Sequence, residues 1–149
     1  MKLSVIVPDY NMAAQDKLAW CLDSLVNQTI SDYEIIAVDD CSTDDSLEIL
    51  RSYEQKYPDK VRVIASPVNK KQGGAKNLGL EEAKGDWIGF IDSDDWVTPD
   101  FYEKLLVRGE ETGADIVGCD YHLTHEHSMK IGQVPEYTGP FWCGLILWT

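Results

Sequence analysis

The sequence predicts a single α/β domain with a mainly parallel sheet flanked by helices, and three observations predict it. Short β-branched runs alternate with segments of helical periodicity, the pattern of βαβ units. The runs are brief and rich in Val or Ile, as strands covered on both faces are. Asp-rich clusters follow several of them, at the edge where open α/β sheets bind ligands. A chain of 149 residues has room for one such core.

The predicted strands are Leu3 to Val7, Glu34 to Val38, Val61 to Ala65, Trp87 to Ile91 and Asp115 to Cys119. Between the first two, Leu18, Leu22, Leu25 and Val26 recur at helical spacing, which predicts an amphipathic helix from Ala14 to Gln28. Ser42-Thr43-Asp44-Asp45 then offers a hydroxyl cap with an acid three positions on, and Leu47, Leu50, Tyr53 and Tyr57 carry a second helix to Pro58. A third helix is expected to begin after Gly73-Gly74. A fourth is expected after Thr98-Pro99, where Thr can cap and Pro suits the first turn.

Composition narrows the function classes. A formal charge of -13 and a pI near 4.4 oppose attraction to nucleic acid or to an anionic membrane surface. An anionic ligand would need a local cation, which points to a divalent metal. No apolar run approaches the roughly 20 residues that cross a bilayer. Met1-Lys2 leads straight into Leu3 to Pro8, too short for a secretory signal, and Cys21, Cys41, Cys119 and Cys143 show neither zinc nor disulfide spacing. A cytoplasmic setting, with peripheral attachment at the inner membrane face, is the expectation.

Three polar clusters should converge on the carboxyl edge of the sheet. Strand one runs into Pro8-Asp9-Tyr10-Asn11, strand two into Asp39-Asp40, and strand four into Asp92-Ser93-Asp94-Asp95. Three carboxylates within the four positions 92–95 repel one another unless water or a cation compensates. Mg²⁺ or Mn²⁺, hard ions with oxygen ligands, would do so and keep positions open for diphosphate oxygens. A polar turn capping the next helix is the plainer alternative. Lys70, Lys71 and Lys76 form a basic patch beside Gly73-Gly74 at a helix start, a place that favours phosphate, with a solvated lysine loop as the simpler reading of Lys70 and Lys71.

In order and spacing, residues 4–11, Val38 to Asp44, Gly74 to Gly79 and Phe90 to Asp95 resemble the family 2 glycosyltransferases of GT-A (Rossmann-like) fold. The resemblance covers residues 3–121 and marks 1–121 as a nucleotide-sugar-binding domain. Residues 122–149 match nothing and read as the start of an acceptor-side region or a tail. Pro8 and Tyr10 fall where the family packs the nucleobase, and Asp40 where it receives the base N–H, which suits uracil. Asp92 and Ser93 fall at the ribose or a metal-bound water, and Asp94, within a DXD motif, at the metal, with Asp92 as a further ligand. Lys76 stands where similar proteins carry Arg, so charge is kept and the bidentate fork is lost. Asp9, where a small or apolar residue is usual, and Cys41, where Gly or Asn is usual, are further departures.

The resemblance implies an enzyme of cell-surface polysaccharide biosynthesis, a hexosyl- or related transferase. Its donor would be a nucleoside diphosphate sugar, a UDP-sugar, and its cofactor Mn²⁺ or Mg²⁺. Transfer to a saccharide or other hydroxyl acceptor would invert configuration. The base that deprotonates the acceptor belongs to an acceptor half absent from this segment. Two other readings stand beside it: a non-catalytic nucleotide-sugar-binding module, which would need the same carboxylates, and a nucleotidyltransferase, which shares a related sheet but would open with a Gly-rich basic loop where Pro8 to Met12 stand. His122, His125 and His127 read as loop residues with a weak metal alternative. The apolar end, Phe141 to Thr149, reads as a buried or partner-covered surface open to self-association.

Overall fold

The computed structural model describes residues 1–119 and 145–147. Its strands are β1 (Leu3–Asp9), β2 (Tyr33–Asp39), β3 (Val61–Ala65), β4 (Trp87–Phe90), β5 (Ile116–Val117) and β6 (Leu145–Leu147). Its helices are α1 (Lys17–Val26), α2 (Ser46–Lys56), α3 (Lys71–Glu82) and α4 (Phe101–Thr112). The strands form one sheet in the order β3-β2-β1-β4-β6-β5. β3, β2, β1 and β4 run parallel, whereas β6 lies antiparallel between β4 and β5.

All residues of β1 and β2 are buried, which explains their largely apolar sequences. On one face, Val5, Val7, Ile35 and Ala37 meet Leu18, Leu22 and Leu25 of α1, Leu50 of α2 and Leu105 and Leu106 of α4. On the other, Ile36 and Val38 meet Ala75 and Leu78 of α3. That second contact is close: a Cβ added to Gly79 would lie 2.5 Å from Ile6 Cγ2. At the opposite end of the strands, buried Ser4 donates to Glu34 Oε1 at 2.7 Å and accepts the amides of Lys84 and Gly85. This satisfied polar cluster fixes how the chain leaves α3 and enters β4.

The predicted fold holds, with shifted boundaries that have tertiary causes. The first helix is divided: a 3-10 turn covers Ala14–Asp16, Asp16 takes φ 57°, and α1 ends at Val26. Gln28, expected inside it, instead spans two elements, donating to Thr98 O and accepting from the Tyr102 amide. That second bond satisfies an early amide of α4, which begins at Phe101, two residues beyond Pro99. α2 begins at Ser46 rather than at Ser42-Thr43, because Asp44 Oδ1 accepts the Ser46 amide. α3 begins at Lys71, ahead of the glycine pair. β4 stops at Phe90, and β5 keeps only two of the five residues from 115 to 119.

β6 was not foreseen as a strand. Its three residues come from the apolar end read as a surface for self-association, and they pair within the chain, Ile146 opposite Ile88 and Ile116. His122, His125, His127, Cys143 and the rest of that end lie outside the described residues. Among the described residues, no helix is long and apolar enough to cross a membrane.

Two of the three glycines of α3 should respond oppositely to alanine. Gly79→Ala forces its methyl into Ile6 and should destabilise by about 1–3 kcal/mol, the usual range for overpacking. Gly73 has open space around it, so Gly73→Ala should stabilise by about 0.5–1 kcal/mol through helix propensity. Urea unfolding of both variants tests this, and equal signs would refute the close α3–β1 contact.

Candidate functional site

Because β1, β2 and β4 are parallel, the loops after all three leave from one edge of the sheet. Backbone bonds keep them together: Asp40 N–H donates to Asp9 O at 2.8 Å, and Ile91 N–H to Ile6 O at 3.2 Å. Side chains then lock the loop after β1 onto the turn after β2. Ser42 Oγ accepts the Asn11 amide, Ser46 Oγ accepts the Met12 amide, and Asp44 Oδ2 accepts the Ala13 amide. Asn11 reciprocates by accepting the Thr43 amide at 2.7 Å. Ser42 and Thr43, expected to cap α2, therefore brace Asn11 in its left-handed conformation, φ 55°.

The loops and the start of α3 enclose a cleft of about 310 Å³ lined by Pro8, Tyr10, Asp40, Asp92, Ser93 and Asp94. All six were singled out in the sequence. Tyr10 is 47% exposed, so its ring is available to a ligand. Asp40 is buried, and its Oδ1 accepts the Lys70 amide at 2.7 Å. Asn69 Oδ1 accepts the Lys71 amide at 3.1 Å. These two acceptors hold the start of α3, which is why it precedes the glycines. Asp40 Oδ2 has no partner among the described residues.

Lys76 does not line the cleft. Its Nζ lies 3.3 Å from Asp92 Oδ1 and 5.7 Å from the centre of the Phe90 ring. Gln72 Nε2 donates to the same Asp92 oxygen at 2.8 Å. Asp92 is thereby attached to α3, whereas Asp94 is exposed and forms no ion pair among the described residues. Asp95 closes the turn, its amide donating to Asp92 O at 3.0 Å. Its carboxyl is raised above the usual range, first by burial and then by the charges of Asp94 and Asp92.

Asn69 and Gln72 also line the cleft and were not assigned to it from sequence, as do Asp9, read there as a departure from the family pattern, and Lys71, read there as part of a basic patch or a solvated loop. Gln72 had a usable signal: it precedes Lys76 by four, which places both on one helical face once α3 starts at Lys71. Asp9 shares the β1 face of Val5 and Val7. Its carboxyl oxygens are both buried without a partner, as is Asp39 Oδ1 on the neighbouring strand, in register with it. Burial pushes the Asp9 pKa up to about 6, and the Asp39 charge adds to the rise. Extra negative charge at the cleft floor is thus suppressed below that pH. Cys21 beneath the site is an inert thiol, raised by burial and by the carboxylates from Asp92 to Asp95.

No three His, Cys, Asp or Glu side chains among the described residues converge to hold a metal alone. The oxygen donors present suit a hard ion completed by water and ligand phosphates, since Mg²⁺ is commonly held by one or two carboxylates plus substrate phosphates.

Asp9 carries a pH signature. Its folded pKa lies above the unfolded 3.8, so its contribution is fully present below that pH and is lost as pH rises through about 6. In metal-free buffer, Asp9→Asn should therefore gain about 1–3 kcal/mol over the parent above pH 7, the size of a one-to-two-unit shift, with the gap closing towards pH 4. Denaturant melts across that range check it, and a gap independent of pH would contradict the burial argument.

The Glycosyl transferase family 2 profile matches residues 4–142. Poly(ribitol-phosphate) beta-glucosyltransferase of Bacillus spizizenii is 45% identical over 119 residues, covering 78% of this chain and 18% of that protein. The uncharacterized glycosyltransferase YibD of Escherichia coli is 41% identical over 119 residues, 80% of this chain and 33% of its own length. The chain thus spans a third or less of these two relatives. Among solved structures, S. aureus TarS 1-349 in complex with UDP-GlcNAc aligns with a TM-score of 0.76 at 29% identity, over 87% of this chain and 37% of that one. The mannosyltransferase PcManGT of Pyrobaculum calidifontis, solved with GDP-Man and Mn²⁺, aligns at 0.74 over 81% of this chain and 36% of its own, a likeness of fold at 24% identity. With the sheet order, the matched profile and these relatives agreeing, the chain belongs to glycosyl transferase family 2 and has the GT-A fold.

Proposed function

We propose that residues 1–121 bind the donor of an inverting glycosyltransferase that moves a sugar from a UDP-sugar to an acceptor hydroxyl in the cytoplasm, with Mn²⁺ or Mg²⁺. The observation that carries this reading is the meeting of Tyr10, Asp40, Asp92 and Asp94 in one cleft. The exposed Tyr10 ring offers a stacking surface for the base beside Pro8. Asp40 holds α3 with one oxygen and leaves the other to accept an N–H, which fits the uracil edge. The UDP-GlcNAc bound by TarS supports a uridine donor.

Asp94 is the better candidate of the two metal ligands, because Asp92 Oδ1 is already engaged by Gln72 and Lys76. Asp92 and Ser93 then position the ribose or a metal-bound water. A divalent ion, when bound, supplies charge neutralisation to the departing diphosphate. Lys76 keeps Asp92 in place from α3, so its charge acts on the site through that carboxylate. On this reading the base for the acceptor lies outside residues 1–119. The length of the relatives leaves ample chain for it.

UDP with Mn²⁺ should raise the melting temperature, since a ligand that binds the folded state stabilises it by mass action. UDP alone should do so much less, and a larger response to GDP would overturn the uridine assignment.

For Asp94→Asn, calorimetric titration should show that most of the Mn²⁺-dependent gain in UDP affinity disappears while metal-free binding persists. Retention of the full gain would remove Asp94 from the metal site. Apo stability is no guide, because relief of repulsion within the Asp cluster raises it under either reading.

A further inference from the structure

We propose that Lys71 is the phosphate-binding cation of the cleft, directed at the diphosphate of the donor; this rests on the donor reading and deepens it. Asp9, Asp40, Asp92 and Asp94 all line the cleft, and Lys71 is the only Lys or Arg among its described lining residues. A diphosphate entering such a wall meets repulsion unless a cation stands beside it. Lys76 is not that cation, because its ammonium is paired with Asp92. Lys71 has no ion pair or side-chain hydrogen bond among the described residues.

The backbone supplies a second, independent observation. Lys71 has φ 66°, a left-handed conformation that L side chains with a Cβ adopt at a cost and that glycine adopts freely. It persists because Asn69 Oδ1 accepts the Lys71 amide and Asp40 Oδ1 the preceding one. An unpartnered lysine at a position whose backbone favours glycine is explained if the ammonium is needed in the cleft. Lys71 is exposed, as a solvated lysine loop would leave it, but that simpler reading does not account for its place on a cleft wall with four carboxylates.

The test is Lys71→Gly, titrated with UDP, UMP and uridine in the presence of Mn²⁺, with Lys71→Arg alongside. Glycine suits the backbone, so this variant folds and should melt at or above the temperature of the parent. Its UDP affinity should fall about tenfold or more, the size of a lost charge-assisted hydrogen bond. UMP affinity should fall less and uridine affinity not at all, while Lys71→Arg should keep most of the UDP affinity. Unchanged UDP binding by Lys71→Gly, or a loss shared equally by uridine, would overturn the phosphate role and leave the donor reading standing. Failure of the parent protein to bind UDP or uridine would overturn both.

Discussion

The constraint on which the molecule depends is the parallel register of β1, β2 and β4. Asp9 lies opposite Asp39, and Leu3 to Ile6 pair with Trp87 to Phe90, so the three loops that follow open on the same edge. In such a sheet the polar residues that end the strands gather at the carboxyl edge. Carboxylates from distant parts of the sequence are thereby crowded together. The fold meets this crowding with different solutions: Asp40 holds α3, Asp92 pairs with Lys76, and Asp9 retains its proton up to about pH 6.

α3 turns that edge into a cleft. Its approach to β1 is possible because Gly79 leaves room for Ile6, and its start is fixed by acceptors on two loops, Asp40 and Asn69. With the helix so placed, Gln72 and Lys76 reach back to one oxygen of Asp92. Packing below and hydrogen bonding above therefore set the same wall. On the proposed reading, base, metal and phosphate contacts all depend on where this helix begins.

The other side of the site is rigid for a different reason. The loop after β1 gives three successive amides, those of Asn11, Met12 and Ala13, to side chains of the turn after β2 and of the first residue of α2. Tyr10 sits just before this clamp, so its exposed ring projects from a backbone whose next groups are all bonded. A fixed aromatic surface loses little freedom when it binds a flat ligand.

The alternation of apolar runs and helical periodicity was sufficient to determine the α/β class, the four parallel strands and the meeting of Pro8, Tyr10, Asp40, Asp92, Ser93 and Asp94, because burial on both faces and strand direction are written into local pattern. Family membership was legible too, since its motifs are contiguous in sequence. Helix starts were not: Asp40 and Gln28 set those of α3 and α4 from a distance, and local capping rules cannot include an acceptor contributed by another loop. The same limit hid β6, whose partner β4 is remote in sequence, and the role of Gln72 in the cleft wall. Which carboxylate was already engaged and which lysine remained unpaired was decided by tertiary structure alone, because charge pairing depends on distances of a few ångströms between segments that the sequence separates.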